Sequence, residues 1–174
     1  GGVTLIAALT LAFLGLNVGV NQPEVAQLAL IVAGAMAAYL IWNWYPAKIF
    51  MGDSGSNVLG LTIGALAIIG GAKLATTALV LGFPILDLVW SAYRRWKSGL
   101  SPFSADRMHL HHRLMQSGLS HRQTVILILF VSAVFGAIAL LSGTWVKIIA
   151  MAITILLMII LIRIVFLKQS RKTS

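Results

Sequence analysis

Six apolar runs, at roughly 2–20, 25–42, 57–72, 74–92, 124–142 and 145–167, take up most of this 174-residue chain. Each comes close to the ~20 residues that carry an α-helix across the hydrocarbon core of a bilayer. Lipid gives a backbone amide no hydrogen-bond partner, so such runs cross it as helices that satisfy their own amides. The expected fold is therefore all-α: a polytopic integral membrane helix bundle of about six transmembrane helices, forming one transmembrane domain over residues 1–174. The third and fourth runs are joined only by "GGAKL" and the last two only by "SGT". Links this short force antiparallel neighbours.

Composition supports the same class. Only 10% of residues are charged, against about 25% in soluble domains. There is no cysteine, which excludes disulfides and thiolate metal sites. The net charge is +9, but the basic residues alternate with the apolar runs and never form a separate domain, so no nucleic-acid partner is expected. The chain starts at Gly1, and "GGVTLIAALTLAFLGLNVGV" lacks the basic leader of a signal peptide. It reads as a helix already under way, which suggests truncation at the amino end.

Lys and Arg set the orientation. Between Tyr93 and Gln123 lie Arg94, Arg95, Lys97, Arg107, Arg113 and Arg122 against one acid, Asp106, and the tail adds Lys168, Arg171 and Lys172. With six spans, these regions fall on the same side as Asn43–Ser56. The opposite side keeps Lys73 and Lys147 beside Glu24. The basic side is expected to be cytosolic, in a bacterial inner membrane.

Two polar stretches interrupt this pattern. The first, "NWYPAKIFMGDSGSN" (Asn43–Asn57), places Asp53 between Gly52 and Gly55 where a span should begin. Asp53, Ser54 or Ser56 could simply cap that helix. Alternatively, the free donors of a helix start favour phosphate, and a carboxylate beside phosphate suits Mg²⁺, which takes one or two carboxylates and completes its shell with water and phosphate oxygens. The pattern alone does not choose between these readings. "GDSGS" also matches the nucleophile segment of trypsin-like proteases, but those need an upstream histidine and none precedes His109.

The second stretch is "ADRMHLHHRLM". His109, His111, His112 and Arg113 could form a zinc site with Asp106, a basic surface against anionic lipid, or a cradle for an anionic substrate. Imidazole donates hydrogen bonds near neutral pH and guanidinium grips phosphate oxygens in a fork, so the third reading fits best. Among other features, Gly60 and Gly64 form a small-xxx-small pair that suits helix packing. Pro84 interrupts the fourth run, and Asp87 reads as a structural partner of Arg94 or Arg95.

Together, "NWYPAKIFMGDSGS" and "FPILDLVWSAYRRWKSGLSPFSADRMHLHHRLMQSGLSHRQT" closely resemble the bacterial polyprenyl-phosphate N-acetylhexosamine-1-phosphate transferases. These enzymes initiate enterobacterial common antigen, O-antigen and wall teichoic acid. The phospho-MurNAc-pentapeptide transferase branch shares the first block, but its second block has three consecutive histidines, unlike His109-Leu110-His111-His112-Arg113. The resemblance implies transfer of a sugar-1-phosphate from a UDP-N-acetylhexosamine, chiefly UDP-GlcNAc, to undecaprenyl phosphate, with release of UMP and a requirement for Mg²⁺ or Mn²⁺. By the family pattern Asp53 is the metal ligand. His109, His111, His112 and Arg113 hold phosphate or sugar with a catalytic role, and Asn43 shapes the nucleotide pocket.

The family's earlier acidic pair and Asn/Asp-rich block are missing here. The chain therefore looks like the carboxy-terminal half of such an enzyme, and is expected to be inactive alone. Membrane lipids are the remaining expected partners, and a homodimer stays open. A transporter half is the competing reading, but it would place polar groups near the midplane rather than at one interface. A membrane anchor without chemistry would leave the two motifs unexplained.

Overall fold

A computed structural model describes residues 1–17, 20–71, 74–97, 99, 101, 115, 120–141, 145–146, 149–150, 152–153 and 156. Its helices are α1 (Gly2–Leu16), α2 (Pro23–Asn43), α3 (Gly52–Ile69), α4 (Leu74–Val80), α5 (Gly82–Lys97) and α6 (His121–Leu141). The all-α expectation holds. By length and composition α2, α3 and α6 can each cross a membrane, and α4 with α5 makes a fourth span if the pair is taken as one broken helix. α1 is apolar but shorter, at 15 residues. The sixth run, 145–167, lies almost wholly outside the described residues.

α1 is the post around which the others pack. Its residues Ala7, Ala8, Leu11 and Ala12 join Val25, Ala29 and Ala33 of α2, Ile63 and Leu66 of α3 and Val80 of α4 in one buried cluster. Alanine dominates the α1–α2 seam because lipid removes most of the hydrophobic drive between spans. Close approach of small residues, and the dispersion contacts it allows, then carries the association. The glycine pair at Gly60 and Gly64 has no such role here, since a Cβ added at either would meet no atom within 4 Å. Close packing falls instead on Gly136 of α6, where a Cβ would come within 2.7 Å of the Thr10 hydroxyl oxygen.

Local sequence fixes the helix ends. α2 opens with Pro23 in its first turn and Glu24 behind it, a residue pair suited to a helix start. It stops at Asn43, three residues before Pro46. α6 opens with a capping box: Ser120 N–H donates to Gln123 Oε1 at 2.9 Å, and Gln123 N–H donates to Ser120 Oγ at 3.2 Å. The expected fourth span is broken. The axes of Leu74–Val80 and Pro84–Tyr93 differ by 77°, because Pro84 has no N–H for the Val80 carbonyl one turn earlier.

Many large apolar side chains face outward, among them Phe50, Leu61, Ile41 and Leu141. In water such a surface would drive association; against lipid it is the ordinary exterior of a membrane protein.

Candidate functional site

α3 starts earlier than its apolar run. The run begins near Asn57, yet the helix begins at Gly52, because an exposed first turn needs no apolar residue. Asp53 therefore lies in the first helical turn and not in a loop before it. The chain enters this turn through Gly52 at φ = +68°, a left-handed conformation that glycine adopts without steric cost.

No side chain caps α3. Asp53 is exposed, and its carboxylate makes no hydrogen bond or ion pair with a described residue. Ser56 turns its hydroxyl inward, donating to the Asp53 carbonyl at 2.9 Å. The capping reading of Asp53, Ser54 and Ser56 thus fails. What remains is a carboxylate next to open helix-start donors, a combination suited to a divalent cation and phosphate together.

The segment between α2 and α3 is held in shape by its own polar contacts. Asn43 Nδ2 donates to the Ile49 carbonyl at 2.8 Å, and Lys48 N–H donates to the Trp42 carbonyl at 2.8 Å. The Lys48 ammonium rests 5.3 Å from the centre of the Trp42 ring. The Tyr45–Pro46 peptide bond is cis. Asn43 is thus engaged with the backbone of the loop that delivers Asp53.

Asn43 also borders a cavity of about 260 Å³ between the start of α1, the end of α2 and the start of α6. Its polar rim is Asn43, Tyr45, His121 and Arg122, and Leu40 and Leu129 contribute to an apolar floor. The Tyr45 and His121 rings lie 5.7 Å apart, and the Arg122 guanidinium carbon is 6.0 Å from the Tyr45 ring centre. The Asn43–Asp53 stretch and the amino end of α6 therefore share one end of the bundle.

His109, His111, His112 and Arg113 lie outside the described residues, as do Asp106 and Arg107. Among the described residues, no three His, Cys, Asp or Glu gather into a metal site. Asp87 is half-buried on α5, and Arg95 Nε donates to the Ser91 carbonyl at 3.2 Å. Sequence reasoning passed over Tyr45, His121 and Arg122, counting Arg122 only as a charge. The signal was available in Ser120-x-x-Gln123, which marks a helix start and so puts His121 and Arg122 in its first turn.

Comparison with known proteins agrees with this geometry. Residues 1–71, which include α1, α2 and the Asp53 turn, match the family described as glycosyl transferase family 4. Residues 1–71 belong to glycosyl transferase family 4. Similarity to individual relatives of this kind runs further along the chain. The "Probable undecaprenyl-phosphate N-acetylglucosaminyl 1-phosphate transferase" of Bacillus subtilis is 36% identical over 166 residues, covering 90% of this chain and 46% of that protein. The undecaprenyl-phosphate alpha-N-acetylglucosaminyl 1-phosphate transferase of Haemophilus influenzae is 33% identical over 156 residues, covering 83% of this chain and 43% of its own length. The decaprenyl-phosphate N-acetylglucosaminephosphotransferase of Mycolicibacterium smegmatis is 39% identical over 120 residues, 59% of this chain and 30% of that protein. The chain spans less than half the length of these curated relatives.

Proposed function

We propose that this chain is part of a membrane glycosyl-1-phosphate transferase, which moves N-acetylglucosamine-1-phosphate from UDP-N-acetylglucosamine to undecaprenyl phosphate and releases UMP. The observation that carries this reading is the uncapped, exposed Asp53 turn at the head of α3, inside the segment that belongs to the family. The relatives' names supply the acceptor and the sugar.

Phosphoryl transfer asks a protein mainly for positioning and charge neutralisation. Asp53 is placed to hold Mg²⁺ through one carboxylate, a mode common where substrate phosphates and water complete the shell. When bound, Mg²⁺ (or Mn²⁺) would neutralise charge on the pyrophosphate. The first-turn N–H groups of α3 would bind phosphate oxygens that Asp53 alone would repel. Asn43 keeps the loop folded so that this turn faces outward.

His109, His111, His112 and Arg113 would grip the donor's phosphates or sugar. Arg113 precedes His121 by eight positions, a tether of at most about 29 Å, so the segment stays attached to the end of the bundle that bears Asp53. That end would face the cytosol, where the basic connections lie and where a soluble nucleotide sugar can meet a lipid acceptor.

The test uses the full-length protein in lipid nanodiscs, labelled UDP-N-acetylglucosamine and undecaprenyl phosphate. Expected outcomes are labelled lipid with stoichiometric UMP, abolition by chelator and restoration by Mg²⁺. Asp53→Asn should lower kcat by about 100-fold or more, the scale of losing an electrostatic contact made in the transition state. Undiminished turnover in that variant, or no transfer by the wild type, would refute the assignment.

A further inference from the structure

We propose that Tyr45 is a positioning residue, whose ring, set against His121 and Arg122, fastens the Asp53 loop to the amino end of α6. The consequence for catalysis rests on the transferase reading; the fastening itself does not.

The loop between Asn43 and Gly52 has no regular structure and is largely exposed. Its hydrogen bonds, Asn43 to Ile49 and Lys48 to Trp42, close it on itself and on its own helix. They shape the loop without attaching it to anything else. The ring contacts of Tyr45 are different, because they reach another helix 76 positions along the chain, at His121. Arg122 has no ion pair with a described acid; its guanidinium lies by the Tyr45 ring instead. A cation held by an aromatic face keeps its N–H edges available for a second partner.

The post on which Tyr45 leans is rigid. Ser120 and Gln123 close the first turn of α6 reciprocally. Thr124 and Ser132 are buried further along, and Gly136 packs closely against α1. Residues 98–120 lead directly into this post. One aromatic contact thereby links the turn carrying Asp53 to the helix that follows His109–Arg113, so the two polar motifs share an anchor.

Hydrogen exchange of amides 47–56 in the full-length protein reads the fastening without reference to activity. Tyr45→Phe keeps the ring and should exchange like the wild type. Tyr45→Leu and Arg122→Ala should each exchange about fivefold faster, with Arg122→Lys recovering part of the protection. The Leu/Ala double variant should exchange no faster than either single, because both remove the same contact.

The same loss should raise the Mg²⁺ concentration needed for half-maximal turnover. Unchanged exchange in Tyr45→Leu, or additive effects in the double variant, would overturn the proposal. So would a fall in kcat without faster exchange, since Tyr45 would then act on substrate directly. A wild type that transfers no sugar phosphate would refute the transferase reading, while the exchange comparison would still decide the fastening.

Discussion

Gly52 shows how one residue sets the aim of another. Its φ of +68° turns the chain into α3 immediately before Asp53, and a Cβ there would meet no atom within 4 Å. Any cost of Gly52→Ala is therefore conformational, about 1–2 kcal/mol for an L-residue held in the left-handed region. The expected outcome is a small drop in thermal stability with a much larger drop in kcat, because relief of the strain re-aims the carboxylate. Equal losses in the two measurements would make Gly52 a stability residue only. Both Gly52 and Asp53 stand out in the sequence as a polar interruption before an apolar run. That Asp53 lies within the helix, and leaves it uncapped, did not follow from hydropathy, which marks where lipid begins and not where hydrogen bonding begins.

Among the elements, the small-residue seam decides the packing. α1 meets α2 through alanines and meets α6 where Gly136 faces Thr10. The Thr10 hydroxyl is already committed to the Ile6 carbonyl at 2.8 Å, so it cannot swing aside freely. Gly136→Ala should cost about 1–3 kcal/mol as the helices are pushed apart. Thr10→Ala in the same chain should recover much of that loss, and thermal unfolding in detergent measures both. No recovery would mean that the clash lies elsewhere. The sequence offered Gly60–Gly64 as the close-packing pair on spacing alone. Spacing cannot say which face of a span meets a neighbour when apolar residues surround the helix, because lipid and protein interior are then equally acceptable to it. The break at Pro84 was legible, since a missing N–H is a local fact. The 77° bend was not, because its size depends on what packs against each half.

For the molecule as a whole, the chain path gathers Asn43, Asp53 and the start of α6 at one end. The chain carries no cysteine, so single cysteines can report sidedness once the rest of the full-length protein is also free of them. Ser56→Cys and Ser120→Cys should react with an impermeant maleimide from the cytosolic side alone, and Glu24→Cys from the opposite side alone. Labelling of Ser56→Cys and Ser120→Cys from different faces would break the shared site and the transferase assignment with it.

The sequence by itself determined the all-α membrane class, most of the helix positions and the residues able to bind phosphate and metal. These depend on properties a residue carries with it: the cost of an unpaired amide in lipid, the missing N–H of proline, the charge of a carboxylate. Only the tertiary structure decided that Asp53 stands uncapped, that Gly136 rather than Gly60–Gly64 makes the close contact, and that Tyr45 meets Arg122. Those outcomes depend on which helix faces come together, and that is settled by the fit of side chains distant in the chain.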